Sequence, residues 1–246
     1  MTRIILEGFK RKNLAFKKAI VSDINPEALK RLKEKFLDIT VAPDNNPLPA
    51  LGDFVFIALH PPAVLPALGE IRSSLQQEGI LISLAPKITI SKISERLQGF
   101  NKIVRMIPNA CSIVNMGYNP VAFSPAFNES ERQAFLELMA PLGYCPVVEE
   151  EKLEAYAILA AMGPTYLWFQ LYELEKIGMS FGLTPREVRS TVARMAEGAA
   201  MTMYESDLVP DEVMDLIPVK PLGEEEEAIK SLYRSKLEAL YKKLRS

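Results

Sequence analysis

The chain has 246 residues, 48% of them hydrophobic, 24% charged and 8% aromatic, enough apolar matter to bury roughly 70–75% of the unfolded surface in one or two cores. Its 29 basic and 31 acidic residues leave a net charge of −2, so no overall positive charge is available to displace phosphate counterions and general nucleic-acid binding is excluded. The longest apolar runs, Phe54 to Leu59 and Ile80 to Ala85, fall far short of the ~20 residues that span a bilayer, which argues against a membrane protein.

From the first residues onward the chain reads as alternating short strands and helices. The opening Met-Thr-Arg-Ile-Ile-Leu-Glu-Gly carries charges where a signal peptide keeps its apolar stretch, and this predicts a cytoplasmic protein. Strands are expected at Ala19–Ser22, Ile39–Ala42, Asp53–Leu59, Ile80–Ala85, Lys102–Ile107, Asn119–Phe123 and Cys145–Val148. Several are almost wholly apolar, as strands covered by helices on both faces should be. Asn25-Pro26-Glu27 starts a helix with an amide cap and Pro at the first helical position, and Asn128 with Glu131 resembles a capping box. The expected class is α/β: a Rossmann-like, mostly parallel sheet over residues 1–149.

From 150 to 246 the pattern is helix on helix, an all-α domain. Glu150–Ala161 reads as helical, and Pro164 is better placed at the start of a second helix than inside one long helix. Thr184-Pro185-Arg186-Glu187 is a strong start signal for a helix running to about Ser206. A Pro-containing linker from Leu216 to Pro221 precedes a last helix with Glu224–Glu227 at its positive end and Lys242, Lys243 and Arg245 at its negative end. Two stripes at helical spacing have few local elements to cover them: Ile158, Tyr166, Phe169, Leu171, Tyr172 and Leu174, and Val192, Met195, Ala199 and Met203. A second copy of the chain would cover them, which predicts a homodimer through the helical domain.

Sheets of this kind bind ligands at the carboxyl ends of their strands, which directs attention to four turns. Asp23 follows the strand Ala19–Ser22, and an acidic residue at the end of the second strand of a dinucleotide fold accepts hydrogen bonds from the adenosine ribose hydroxyls; an Asp before a helix is equally a cap. Ala58-Leu59-His60-Pro61 ends an apolar strand, and His60, with no visible acid partner, reads as a turn histidine. Ile107-Pro108-Asn109-Ala110-Cys111 is a polar, constrained turn. Gly163-Pro164 opens a helix whose N–H groups could face an anion. Cys111 has no histidine but His60 to activate it and reads as inert. Cys111, Cys145 and His60 form neither a disulfide framework nor a zinc site, so no metal is expected.

Together these segments resemble the pyrroline-5-carboxylate reductase family, Rossmann-fold oxidoreductases with a helical dimerisation domain. Ser22 to Glu27, Asp44-Asn45-Asn46, Ala58 to Pro61, Val104 to Asn109 and Gly163 to Tyr166 match in order and spacing. The similarity continues through Gly182-Leu183 and Glu197 to Ala200, covering roughly residues 1 to 206. The resemblance implies reduction of a cyclic imine to an amino acid with NADP or NAD as hydride carrier, a small-molecule substrate and a homodimer. It sets Asp23, Asn25, Asn45, Ala58, His60 and Pro61 along the cofactor, and Asn109, Gly163 and Pro164 near the nicotinamide and substrate; no catalytic residue is assigned. For the cofactor, Asp23 favours an unphosphorylated ribose, whereas Lys17, Lys18 and Lys30 could accommodate a 2′-phosphate.

The chain also departs from the family. The Gly-x-Gly-x-x-Gly strand-turn is absent, and Ile4 to Phe9 aligns with the helix that follows it; the expectation is a chain that begins about a dozen residues late, or one in which Arg3–Leu6 fills the gap as a strand. The Gly-Gly-Thr-Thr-like segment is replaced by Met214 to Gly223, the family's Ser before Gly-Pro by Met162, and its Thr-Pro after Asn by Ala110-Cys111. These changes admit two alternatives: a reductase for another imine or carbonyl substrate, or a non-catalytic, regulatory dimer.

Overall fold

The computed structural model describes residues 1–245. The chain forms α1 (Thr2–Arg11), β1 (Ala19–Asp23), α2 (Pro26–Lys35), β2 (Ile39–Pro43), β3 (Phe54–Ile57), α3 (Pro61–Ile71), β4 (Ile80–Ser83), α4 (Ile90–Arg96), β5 (Ile103–Met106), β6 (Gly117–Tyr118), β7 (Val121–Phe123), α5 (Glu129–Met139) and β8 (Gly143–Tyr144). There follow α6 (Leu153–Tyr156), α7 (Gly163–Ser180), α8 (Pro185–Glu205), α9 (Pro210–Asp215) and α10 (Glu226–Arg245). The expected class holds: a Rossmann-like α/β region followed by helices.

The main sheet has the order β3-β4-β5-β7, parallel except for β7. Its two faces follow from side-chain alternation along each strand. Ile82 and Val104 point into a core with Ile5, Phe9, Phe135 and Met139, from α1 and α5. Their neighbours Leu81 and Ile103 point the other way, against Val64 and Leu68 of α3 and Ile93 of α4. All four strand residues are fully buried, each contributing about 1.5–3 kcal/mol of transfer free energy.

β1 and β2 form a separate parallel pair. Among the described residues, β1 pairs with β2 alone and β3 with β4 alone; a 3₁₀ turn at Pro49–Leu51 touches both β1 and β3. The strand suggested for Arg3–Leu6 is not formed. These residues are helical because Ile5, Gly8 and Phe9, one helical face, are the buried ones. Asn115, at φ +64°, donates through Nδ2 to the Gly8 carbonyl (2.7 Å) and to the Pro141 carbonyl (2.5 Å), bolting α1 in place.

The caps read from sequence are present. Asn25 Oδ1 accepts from Ala28 N, and Asn128 with Glu131 and Thr184 with Glu187 close capping boxes, features that contribute about 1 kcal/mol each. The expected strand Cys145–Val148 is reduced to a bridge between Val147 and Val121, since Pro146 has no N–H for a ladder.

By packing, the described residues form two compact units, 1–162 with 240–245, and 163–239. Thus 150–162 pack with the sheet unit, where Leu153 and Ala157 lie against Ile107 and Ala122. In the second unit no residue of α7 is buried; Phe169 is 66% and Tyr172 64% exposed. Two residues of the expected uncovered stripes are buried within the chain, Ile158 and Val192. No helix among the described residues is long and apolar enough to cross a membrane.

Candidate active site

The carboxyl ends of β1 and β2 bring three of the expected cofactor residues together. Asp23 is exposed, and its Oδ1 accepts from Asn25 N at 2.8 Å, an Asx turn that leads into the cap of α2. Asn45 N donates to Ser22 Oγ (3.2 Å), Asp44 N donates to the Asp23 carbonyl (3.3 Å), and Asn45 Oδ1 accepts from Leu48 N (3.2 Å). The amide oxygens of Asn25 and Asn45 are therefore engaged in turns, while the Asp23 carboxylate faces solvent beside them.

Ala58, His60 and Pro61 follow β3, in the other sheet. Ala58 and His60 are exposed. His60 takes the N-cap position of α3 at φ −66°, ψ 146° with no side-chain cap bond, and Pro61 begins the helix where a missing N–H costs nothing. Gly163 and Pro164 open α7 in the second unit, half-buried; a Cβ placed on Gly163 meets nothing within 4 Å.

Asn109 follows β5 and is 5% exposed. Its Oδ1 accepts from Cys111 N (2.7 Å), its N–H donates to Asn119 Oδ1 (2.8 Å), and its Nδ2 donates to the Ala160 carbonyl. The last contact has a covalent origin. Proline at 164 has no N–H, so the carbonyl four residues earlier lacks its helical donor. The chain passes through a π turn at Ala157–Ala161, with Met162 N bonded to the Ala157 carbonyl at 3.0 Å, and Asn109 supplies the donor for Ala160. Asn109 thereby ties the β5 turn to the entry of the helical segment. Ser112 Oγ also donates to Asn119 Oδ1 (3.0 Å), and Ser112 and Asn119 are buried.

A second polar cluster lies one step along the sheet and was absent from the sequence-based candidates. Arg105 of β5 is 1% exposed; its Nη1 donates to Glu150 Oε1 (3.0 Å) and its Nη2 to Glu154 Oε1 (2.7 Å). The same two oxygens accept backbone N–H groups from the turn after β4, Ile90 N on Glu150 (2.7 Å) and Lys87 N on Glu154 (3.0 Å). An arginine inside the otherwise apolar run Ile103–Met106 was the available signal, because a buried guanidinium demands carboxylate partners.

Both cysteines are free and half-buried. Burial pushes Cys111 above the ordinary thiol value, and pushes Cys145 up to about 11 against a lowering by a hydrogen bond from Asn119. At pH 8 the Cys145 thiolate is about one part in a thousand, so iodoacetamide is expected to leave Cys145 unmodified in the native protein and to label it once urea unfolds the chain; mass spectrometry of the alkylated peptide reads both states. Because the folded value is raised, stability is lost as pH rises from the unfolded thiol's value near 9.0 toward 11.

Residues 150–245 match the family model for pyrroline-5-carboxylate reductase dimerisation, and residues 1–87 match that for coenzyme F420-dependent NADP oxidoreductase. The pyrroline-5-carboxylate reductase of Methanosarcina acetivorans is 24% identical over 220 residues, covering 89% of this chain and 81% of that protein. Human pyrroline-5-carboxylate reductase 2 is 29% identical over 166 residues, covering 66% of this chain, and the chain spans about half (52%) of that relative's length. In fold, the chain resembles the Plasmodium falciparum pyrroline carboxylate reductase crystallised with NADP bound, with TM-score 0.82 and 20% identity, covering 99% of this chain and 92% of that one. The Coxiella burnetii pyrroline-5-carboxylate reductase follows with TM-score 0.68 and 24% identity, covering 99% and 90%. In sequence along most of its length, and in fold, the chain is similar to pyrroline-5-carboxylate reductases.

Proposed function

We propose that the protein is an NAD(P)H-dependent reductase that converts a cyclic imine to an amino acid, the pyrroline-5-carboxylate reductase reaction, as a homodimer. One observation carries the reading: strand ends suited to a dinucleotide stand in the same chain as a 150–245 segment that matches the dimerisation domain of that family. In this reading Asp23 meets the adenosine ribose through its exposed carboxylate, and Asn25 and Asn45 shape the turns around it. Ala58, His60 and Pro61 line the middle of the cofactor, and Asn109, Gly163 and Pro164 stand toward the nicotinamide and imine.

The donor set fits the ribose end of a dinucleotide, since a solvent-facing carboxylate at a strand end accepts two hydroxyls. A bound cofactor would supply the hydride, with Asp23 holding its ribose end. Asn109 acts here by holding the β5 turn on the helical segment, its own amide oxygen being occupied by Cys111 N. The exposed Phe169 and Tyr172 of α7, with Met195 and Met203 of α8, are the surface that a second copy covers.

The test is the reaction itself. Purified protein is expected to oxidise NADH or NADPH in the presence of pyrroline-5-carboxylate, monitored at 340 nm, and to sediment at twice the 27.5 kDa chain mass. Cofactor binding by calorimetry without turnover on any cyclic imine would favour a non-catalytic relative and overturn the reductase reading.

A further inference from the structure

Lys87 stands out from the turn that joins β4 to α4. Its φ is +71°, a left-handed conformation that costs an L side chain energy and that glycine adopts freely. The turn does not relax, because Lys87 N is held at 3.0 Å by Glu154 Oε1, and Glu154 is held in turn by the buried Arg105. Ile90 N, three residues on, is clamped the same way by Glu150. A buried guanidinium and two carboxylates thus maintain the strained backbone on which the Lys87 side chain is mounted. The side chain is half-buried, and its ammonium makes no ion pair or hydrogen bond among the described residues.

Position gives the strain a use. Lys87 lies past the carboxyl end of β4, the strand between β3, with His60 beyond its end, and β5, with Asn109 beyond its end. Ligands of open α/β sheets bind at that end, and strained non-glycine backbone concentrates where a side chain serves a ligand. An ammonium there without an internal partner is a receptor for an anion. In a reductase of imino acids the anion other than the cofactor's phosphates is the substrate carboxylate.

We propose that Lys87 is a substrate-binding residue whose ammonium receives the carboxylate of the imino acid, and that the Arg105–Glu150–Glu154 cluster is a positioning device that sets Lys87 in place. This rests on the reductase reading above. The cofactor's phosphates carry the same charge, and the experiment separates the two sources.

Lys87→Met, Lys87→Arg and Lys87→Gly are compared with the wild type. Loss of a charged hydrogen bond is expected to raise KM for pyrroline-5-carboxylate about tenfold to a hundredfold in Lys87→Met with the KM for the nucleotide unchanged, and Lys87→Arg to recover most of the loss. Calorimetry with proline, which carries the same carboxylate, reads binding without turnover and should follow the same order. Lys87→Gly is expected to melt higher than wild type while binding proline as poorly as Lys87→Met. Unchanged proline binding in Lys87→Met, no proline binding by the wild type, or a rise confined to the nucleotide KM would each overturn the assignment. Wild-type turnover on a cyclic imine with a silent Lys87→Met sinks this proposal and leaves the reductase reading standing, whereas proline binding that depends on Lys87 in a protein without turnover does the reverse.

Discussion

Arg105→Met is expected to destabilise the sheet unit by about 3–5 kcal/mol, the cost of leaving buried carboxylates without their cation. The guanidinium is 1% exposed and bonds to Glu150 and Glu154, whose side chains are 24% and 10% exposed. Urea unfolding followed by circular dichroism gives the loss, and hydrogen exchange should accelerate at the amides of Lys87 and Ile90, the two N–H groups that the carboxylates hold. Adding Glu154→Leu to Arg105→Met removes one of the uncompensated charges. The double variant should regain part of the loss but stay below wild type by about 1–3 kcal/mol, because Lys87 N then lacks an acceptor. A single-variant loss under about 1 kcal/mol would show that water reaches the carboxylates and that the cluster does not clamp the turn.

Gly143→Ala should cost about 2–6 kcal/mol, the sum of a forbidden backbone conformation and an overlap that cannot relax. Gly143 has φ +124°, and a Cβ there would lie 2.2 Å from the Gly117 carbonyl oxygen and 2.4 Å from its nitrogen. Both neighbours are backbone, paired in register across β6 and β8. Gly99→Ala is the control: its φ of +98° is strained in the same way, yet nothing lies within 4 Å of the added carbon, so only the conformational cost of about 1–3 kcal/mol remains. Equal melting temperatures for the two variants would remove the steric part of the argument. The consequence reaches the candidate site, because a Cβ on Gly117 would meet Ser112 Oγ at 2.0 Å and Asn119 Nδ2 at 2.6 Å. Those are the residues that seat Asn109, and widening this crossing should loosen the β5 turn.

Asn109 shows what a sequence reading leaves out. The resemblance sets it near the nicotinamide and substrate, and the folded chain adds its partners: its amide oxygen accepts from Cys111 N and its nitrogen donates to the carbonyl that Pro164 leaves without a donor. Nothing in the neighbourhood of residue 109 announces a proline 55 positions later. Asp23 is the opposite case, since its strand end and the following cap are local and leave the carboxylate outward. In sequence Ala85-Pro86-Lys87 looks like any turn; the φ of +71° and the glutamate beneath it set Lys87 apart.

The amino-acid sequence alone determined the helix starts at Asn25, Asn128 and Thr184, the apolar strands, the change from α/β to helical at about residue 150, and the placement of Asp23, His60 and Asn109 at strand ends. Caps, periodicity and proline placement act over four residues or fewer, so their energetics are written locally. The tertiary structure alone decided that Arg105 meets Glu150 and Glu154, that these carboxylates reach back 60 and 67 residues to Ile90 and Lys87, and that 150–162 pack with the sheet. Those contacts depend on which strands lie side by side, and a buried charge finds its partner only once the sheet has brought distant segments together.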